Sequence, residues 1–175
     1  LKLWWLRRLC VTPRPLQEKM ALFWHGHLTS SVENGMNPLW MYRQNELFRR
    51  NATGNFKQLI HDISKDPAML RYLDNVSNRR QHPNENYARE LMELFTLGLG
   101  HYTEQDIKES ARAFSGWAIR DSEPAFVRAQ HDAQRSRLLE HDRGRGIGAR
   151  APHRPARVEA ERRAAHEMEL ARRVQ

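Results

Sequence analysis

The chain has 175 residues, which is enough for one domain with its own core. Its single cysteine, Cys10, excludes an internal disulfide and a cysteine-rich zinc site. The net charge of +8 suggests nucleic acid, but residues 1–124 hold 17 Lys+Arg against 14 Asp+Glu and residues 125–175 hold 12 against 7. Most of the basic excess therefore lies in the tail, and nucleic-acid binding is not favoured for the body.

The N-terminal 27 residues predict two helices separated by a proline-containing break at residues 12–15. In the first, LKLWWLRRL places Leu1, Trp4, Trp5 and Leu9 at helical spacing. The second is LQEKMALFWH. No apolar run reaches the roughly 20 residues that a membrane helix needs, so no membrane span is predicted.

The segment FWHGH contains the first candidate metal ligands, His25 and His27. On a regular helix these two side chains point about 200° apart, so they share one ion only if the helix ends at Gly26. Without that break, one histidine faces the core or caps the helix and the other is exposed. Both interpretations stay open at this point.

Capping patterns mark the starts of the later helices. Asparagine or aspartate before a helical run accepts backbone N–H groups, and proline suits the first helical position. A threonine with an acidic residue three positions later forms a capping box. The predicted starts are Asn37-Pro38, Asn55, Asp66-Pro67, His82-Pro83 and Thr103 with Asp106.

The helix that follows His82-Pro83 divides into two faces at about 100° per residue. The polar face carries Glu85, Asn86, Arg89, Glu90 and Glu93, and the opposite face is apolar. Two i,i+4 ion pairs are expected here, Glu85–Arg89 and Arg89–Glu93. The face is either an ordinary solvated surface or a buried network that holds a site or tunes a glutamate for acid–base chemistry. Gly98 lies just past the predicted end of this helix.

The preceding loop, LDNVSNRRQHPNEN, is rich in oxygen donors. Asp74 is a candidate ligand for a divalent metal ion, because Ca²⁺ and Mg²⁺ favour carboxylate and amide oxygens. The same residue types also form turns and caps. The loop lacks the acidic ladder of an EF-hand, so the turn interpretation stands beside the metal interpretation.

The predicted fold is all-α, an irregular bundle of about seven helices with short loops. No stretch alternates with period two for long enough to predict a strand. Composition changes near Glu123-Pro124, which predicts a helical domain at 1–122 and an Arg-rich tail at 123–175. We consider three explanations for the tail: a disordered basic arm, a solvated helix with pairs such as Glu159–Arg163, or an out-of-frame translation.

Three long stretches together resemble a bacterial family, known as domain of unknown function number eighteen hundred. They are EKMALFWHGHLTSSVE, NPLWMYRQNELFRRNATGNFKQLIHDISKDPAMLRYLDNVSN and HPNENYARELMELFTLGLGHYTEQDIKESARAFSGW. The resemblance covers about residues 1–120 and fades after Trp117. It implies packed helices and three signature blocks: Trp24, His25 and His27; Asp74, Asn75 and Asn78; Asn84, Glu85, Asn86, Arg89, Glu90 and Glu93. Gly26 stands where a polar residue, often asparagine, is expected.

The resemblance also implies that this chain is a central fragment of a longer, exported or periplasmic protein, encoded beside a sulfatase-like partner. The preferred interpretation is an interaction or scaffold module of an exported system. The alternative is a metal-dependent or acid–base site built from the FWHGH, LDNVSN and NENYARELMEL segments. In that site Glu85, Arg89, Glu90 and Glu93 are the candidate catalytic residues, and His25, His27 and Asp74 are the candidate metal ligands.

Overall fold

A computed structural model of the chain describes residues 1–32 and 36–134. The described part is mostly helical, as predicted, and none of its helices is long and apolar enough to cross a membrane. Its seven α-helices are α1 (Lys2–Val11), α2 (Pro15–His27), α3 (Pro38–Arg50), α4 (Phe56–Ile63), α5 (Pro67–Tyr72), α6 (Asn86–Glu90) and α7 (Glu104–Ala113). It also contains 3-10 turns at Asn75–Ser77 and Arg128–Gln130, a π-helical segment at Leu91–Thr96, and strands β1 (Trp117–Arg120) and β2 (Glu123–Phe126).

Side-chain caps begin four helices where the sequence predicts them. The side chains of Asn37, Asn55 and Asp66 accept backbone N–H groups at the starts of α3, α4 and α5. At α7, Thr103 and Asp106 form the expected capping box. Each cap satisfies a donor that the first helical turn leaves without an intrahelical partner. These four predictions are confirmed.

The predicted start at His82-Pro83 is wrong, because α6 begins at Asn86. His82 instead pairs with Arg79 in an isolated antiparallel bridge. The side-chain oxygen of Asn84 then accepts the backbone N–H of Asn86 at 3.0 Å. The chain therefore makes a tight loop before the helix, which proline alone does not reveal.

The core lies where α2, α3, α4 and the α6–π segment meet. The main cluster of buried residues consists of Ala21, Leu28, Leu47, Phe48, Leu59, Ile63, Met69, Leu73, Tyr87, Leu91 and Phe95. Among the described residues, Tyr87 is the largest fully buried side chain. Its hydroxyl shares a 2.6 Å hydrogen bond with Ser64 Oγ, so the polar end of the ring is satisfied inside the core. Burial raises the pKa of Tyr87 to about 12.

A β-hairpin follows α7, and the expectation of a purely α-helical fold is wrong at this point. Strands β1 and β2 pair antiparallel, with Trp117 opposite Phe126. Asp121 and Ser122 form the connecting turn with φ values of 49° and 66°. Two residues with positive φ match the twist of a hairpin, although glycine or asparagine is more usual there. The domain limit predicted between 122 and 123 falls inside this hairpin.

The residues after the hairpin pack back against α7. Arg112 donates from Nε to Asp132 Oδ2 at 3.0 Å, and the Asp132 backbone N–H donates to Ser115 Oγ at 2.8 Å. Gly116 has a φ of 88°, and a Cβ there would lie 2.9 Å from the Cβ of His131. The close contact explains why glycine occupies this position. The predictions about residues 135–175, including the reading frame, disorder and the Glu159–Arg163 helix, lie outside the described residues.

Candidate functional site

Arg89 is the centre of the predicted polar face, and it is part-exposed instead of buried. Its side chain is 37% exposed. It donates to both carboxylate oxygens of Glu104, at the start of α7, at 2.9 Å each, and to Glu85 at 3.2 Å. The predicted Glu85–Arg89 pair is therefore confirmed. The hydrogen bonds with Arg89 hold the pKa of Glu104 below its usual value and raise the pKa of Arg89.

The predicted Arg89–Glu93 pair is wrong, since the arginine pairs with Glu104 in its place. The helix widens from Leu91 onward into a π-helical segment, where hydrogen bonds span five residues instead of four. That change in period removes the i,i+4 alignment on which the prediction depends. Glu93 instead accepts a hydrogen bond from Tyr102 Oη at 3.1 Å. Desolvation and this carboxylate raise the pKa of Tyr102 to about 12.

Glu90 occupies the last position of α6 and is partly buried. The candidate catalytic residues therefore lie at or near the surface along the contact between α6 and α7, where Arg89 forms ion pairs with Glu85 and Glu104, and Glu93 accepts a hydrogen bond from Tyr102. Salt bridges and hydrogen bonds among neighbours account for Glu85, Arg89 and Glu93. The acid–base hypothesis for this cluster stays a prediction.

The loop around Asp74 is an internally hydrogen-bonded turn. Asn78, which is fully buried, donates to Ala111 O at 2.7 Å and to Asn75 Oδ1 at 3.0 Å, and its own Oδ1 accepts the Asn84 N–H at 3.1 Å. Asn84 Nδ2 donates to Asp74 Oδ2 at 3.1 Å and to Ser77 Oγ at 2.7 Å. These amides therefore join the loop to the end of α7, and hydrogen bonds of this kind are typical of asparagine and aspartate in turns.

The two histidines of FWHGH lie in different surroundings. Helix α2 continues through His27, so the break at Gly26 that would let both reach one ion is not present. His25 packs edge-on against Trp5 at 5.3 Å between ring centroids and also against Phe48. Burial lowers its pKa. His27 Nε2 lies 3.1 Å from the carbonyl oxygen of Phe95, to which it donates.

His25, His27 and Asp74 are therefore held in three separate sets of contacts. Within residues 1–32 and 36–134, no group of three or more His, Cys, Asp and Glu side chains is arranged to hold a metal ion. Each of the three predicted ligands has a packing or hydrogen-bonding role in the described structure. The divalent-metal hypothesis stays a prediction that ion titration can test.

A buried ion network between α2 and α3 is absent from the sequence predictions. Glu18 is 1% exposed and Arg49 4% exposed. Arg49 donates from Nε to Glu18 Oε1 at 2.6 Å and from Nη2 to Oε2 at 3.0 Å, and Arg8 donates to the same Oε1 at 2.6 Å. Arg49 also bonds Asn45 and Glu46. These bonds, first those from Arg49, hold the pKa of Glu18 below its usual value.

A sequence signal for this network does exist. Glu18 lies one turn before Ala21, the other buried residue of α2, so a carboxylate is placed on the buried side of this helix. A charged residue in such a stripe requires a partner. The partner, Arg49, is 31 residues away, and no local rule identifies it.

A second buried network joins the chain after α2 to the start of α5. Ser30 Oγ donates to Gln44 Oε1, and Gln44 Nε2 donates to Asp66 Oδ2 at 3.0 Å. The same carboxylate oxygen caps α5 through Met69 N–H at 3.0 Å. Desolvation is the main cause of the shift and outweighs the hydrogen bonds from Met69 and Gln44, so it raises the pKa of Asp66 to about 6.

The described fold is thus a mostly helical domain whose predicted polar segments are engaged in hydrogen bonds and ion pairs. The chain belongs to the family described as "Protein of unknown function (DUF1800)", whose model matches residues 1–166. This confirms the predicted family. The match extends past Trp117, where we expected the resemblance to fade. No curated protein and no solved structure matches the chain.

Proposed function

We propose that this domain is a helical interaction module that binds another exported protein through the outer face of α1 and α2. The observation that carries the proposal is the distribution of exposed apolar side chains. Eight of the fourteen large hydrophobic residues exposed in the described part of the chain lie within residues 1–23. They are Leu1, Leu3, Trp4, Leu6, Val11, Leu16, Leu22 and Phe23.

Helix α1 contributes most to this face. None of its residues is buried, although KLWWLRRLCV is largely apolar. Leu3 is 82% exposed and Leu6 is 58% exposed, one turn apart. Burying a leucine side chain in a partner stabilises a complex by about 1.5–3 kcal/mol, so these two residues are suited to an interface.

The inner side of α1 is attached by a few aromatic and ionic contacts. Trp4 packs on Tyr42 at 5.2 Å between ring centroids, and the Arg49 guanidinium lies 5.6 Å from the Trp4 ring. Arg8 reaches Glu18. These contacts orient the helix so that Leu3 and Leu6 point away from the core.

The charge of α1 favours a protein with an acidic rim. Lys2 and Arg7 are exposed beside the apolar residues, and α1 contains no acidic residue. An apolar patch with charges at its edge is typical of protein interfaces. The family resemblance supports an exported, sulfatase-like protein as the partner.

The test is co-expression of this chain with a sulfatase-like protein of the kind that the family resemblance implies as its partner, followed by measurement of the dissociation constant. The double variant Leu3→Asp/Leu6→Asp should weaken binding at least 100-fold. Leu39→Asp is the matched control, because Leu39 is 45% exposed but lies on α3. Unchanged affinity in the double variant, or an equal loss in the control, would contradict the proposed face.

Light scattering of the isolated chain separates the proposed partner from a second copy. A monomer at micromolar concentration is the expected result. A dimer that Leu3→Asp/Leu6→Asp dissociates would assign the face to self-association and would overturn the proposal of a different partner.

A further inference from the structure

We propose that the cleft between α4 and β1 binds a small ring compound that carries an anionic substituent. This site is separate from the proposed protein-binding face. The cleft has a volume of about 310 Å³, at the small end of the range of about 300–1,000 Å³ for ligand pockets. Its lining residues are Lys57, Ile60, His61, Ser64, Lys65, Ala113, Phe114 and Trp117.

One side of the cleft is apolar and aromatic. Ile60, Phe114 and Trp117 are each partly exposed, so their apolar surfaces are accessible to a ligand. Phe114 is fixed by an edge-on contact with the buried Tyr87, at 5.1 Å between ring centroids. Trp117 is held in register by its pairing with Phe126 across the hairpin. A flat ring gains most from such a preorganised wall.

The other side of the cleft is basic. Lys57, His61 and Lys65 follow each other at intervals of four residues along α4 and the turn after it. The Lys65 ammonium lies 5.7 Å from the Trp117 ring centroid and 3.2 Å from His61 Nε2. None of the eight lining residues is acidic. The cleft therefore has two lysines among its lining residues, and one of them, Lys65, lies beside the aromatic wall.

The arrangement is unfavourable for the helix in the absence of an anion. Lys57 is the second residue of α4, and a cation near a helix N-terminus opposes the helix dipole. The acidic side chain of α4, Asp62, accepts a hydrogen bond from Gln58 and lies 3.9 Å from His61 Nδ1, so it offsets little of the charge on Lys57. An anionic ligand removes this electrostatic cost.

The ligand class follows from the two sides together. The volume admits one or two fused rings, and the apolar wall favours a ring that is not itself charged. The lysines favour a carboxylate, sulfate or phosphate attached to that ring. An inorganic anion alone makes no contact with the aromatic wall, and a neutral ring makes no ion pair with the lysines. Each should therefore bind more weakly than a ring that carries an anionic group.

The test is an NMR titration of the full chain, labelled with ¹⁵N, using 2-naphthyl phosphate as the probe. The indole N–H signal of Trp117, assigned with Trp117→Phe, should shift on titration. The signals of Trp4, Trp5, Trp24 and Trp40 should stay in place and act as internal controls. The affinity for 2-naphthol and for inorganic phosphate should each be at least tenfold weaker. A stationary Trp117 signal, or either half-probe binding equally well, would overturn the proposal.

Variants of the lysines separate a binding role from a structural role. Lys57→Gln/Lys65→Gln should weaken probe binding at least tenfold, whereas Lys19→Gln, an exposed lysine on α2, should leave it unchanged. Lys57→Glu should abolish binding while the Tm stays the same or rises, because a carboxylate suits the helix N-terminus. A lowered Tm with retained probe affinity would show that Lys57 serves the fold and not a ligand.

Discussion

Replacing Arg49 with methionine tests the buried ion network most directly. The substitution keeps a long apolar side chain but leaves the Glu18 carboxylate, 1% exposed, without its bidentate partner. Removing one partner of a buried ion pair costs about 3–5 kcal/mol. Arg8 still donates to Glu18, so we expect the lower end of that range, about 3 kcal/mol. For a domain of this size the Tm should fall by about 6–12 °C.

The assay is urea unfolding at pH 7, followed by circular dichroism. Arg43→Met is the matched control on the same helix, because the Arg43–Glu123 pair is 42% and 61% exposed. Exposed pairs contribute about 0–1 kcal/mol. The double variant Glu18→Met/Arg49→Met should be less destabilised than Arg49→Met, since it removes the buried carboxylate and the charges that lose a partner, Arg8 and Glu46, are 41% and 31% exposed. Equal free energies of unfolding for Arg49→Met and Arg43→Met would refute the reasoning.

The pH dependence of the same variant gives a second readout. In the folded state the pKa of Glu18 is below its usual value of 4.5, chiefly because of Arg49. The stabilisation by the ionised carboxylate is therefore present above about pH 4.5 and is lost as the pH falls through the folded pKa. The stability difference between wild type and Arg49→Met should shrink in acid. A difference that stays constant to pH 3 would contradict the ionic origin.

Two further perturbations follow from single residues. Gly116→Ala should destabilise the fold by about 2 kcal/mol or more, because φ is 88° and the new Cβ would lie 2.9 Å from His131 Cβ. The control in the same thermal unfolding measurements is Gly26→Ala, which should stabilise the fold by about 0.5–1 kcal/mol because Gly26 is a helical position with open space around it. An unchanged stability in Gly116→Ala would contradict the close contact with His131. Asp66 has a pKa raised from 3.8 to about 6, so the folded state holds its proton longer than the unfolded state and loses up to about 3 kcal/mol as the pH rises from about 4 to about 6. Asp66→Asn keeps a capping side chain and should flatten that part of the stability profile, whereas an unchanged profile measured by urea unfolding would assign the pH dependence to other groups.

Local chemistry made part of the fold predictable. The caps at Asn37, Asn55, Asp66 and Thr103 depend on interactions within about three residues, so the sequence contains all their information. The same is true of the Glu85–Arg89 pair within one helical turn.

The hairpin was not predictable from periodicity. Each strand has four residues, too few for an alternating pattern to stand out. The turn uses Asp121 and Ser122 with positive φ, without the glycine that usually marks such a turn. Its position is set by tertiary contacts: the carbonyl oxygen of Ser122 accepts hydrogen bonds from Trp40 Nε1 at 3.1 Å and Arg43 Nη1 at 3.4 Å.

The polar face that contains Arg89 could be located from the sequence, but the partners of its side chains could not. Arg89 pairs with Glu104 and not with Glu93, because the π-helical segment changes the helical period and α7 brings Glu104 within hydrogen-bond distance. Arg49 finds Glu18 across 31 residues for a similar reason. Pairing across elements depends on packing, which a single-helix pattern does not contain.

Side chains that bond to partners within the domain therefore indicate a different role from side chains at exposed or electrostatically unfavourable positions. Asn78 and Arg49 donate their hydrogen bonds to partners within the domain, so substituting either residue should mainly lower the stability of the fold. Leu3 and Lys57 differ from these residues: Leu3 exposes an apolar side chain to water, and Lys57 lies near a helix N-terminus, where a cation opposes the helix dipole. These two placements are the reason we propose a partner protein at α1 and an anionic ligand at α4.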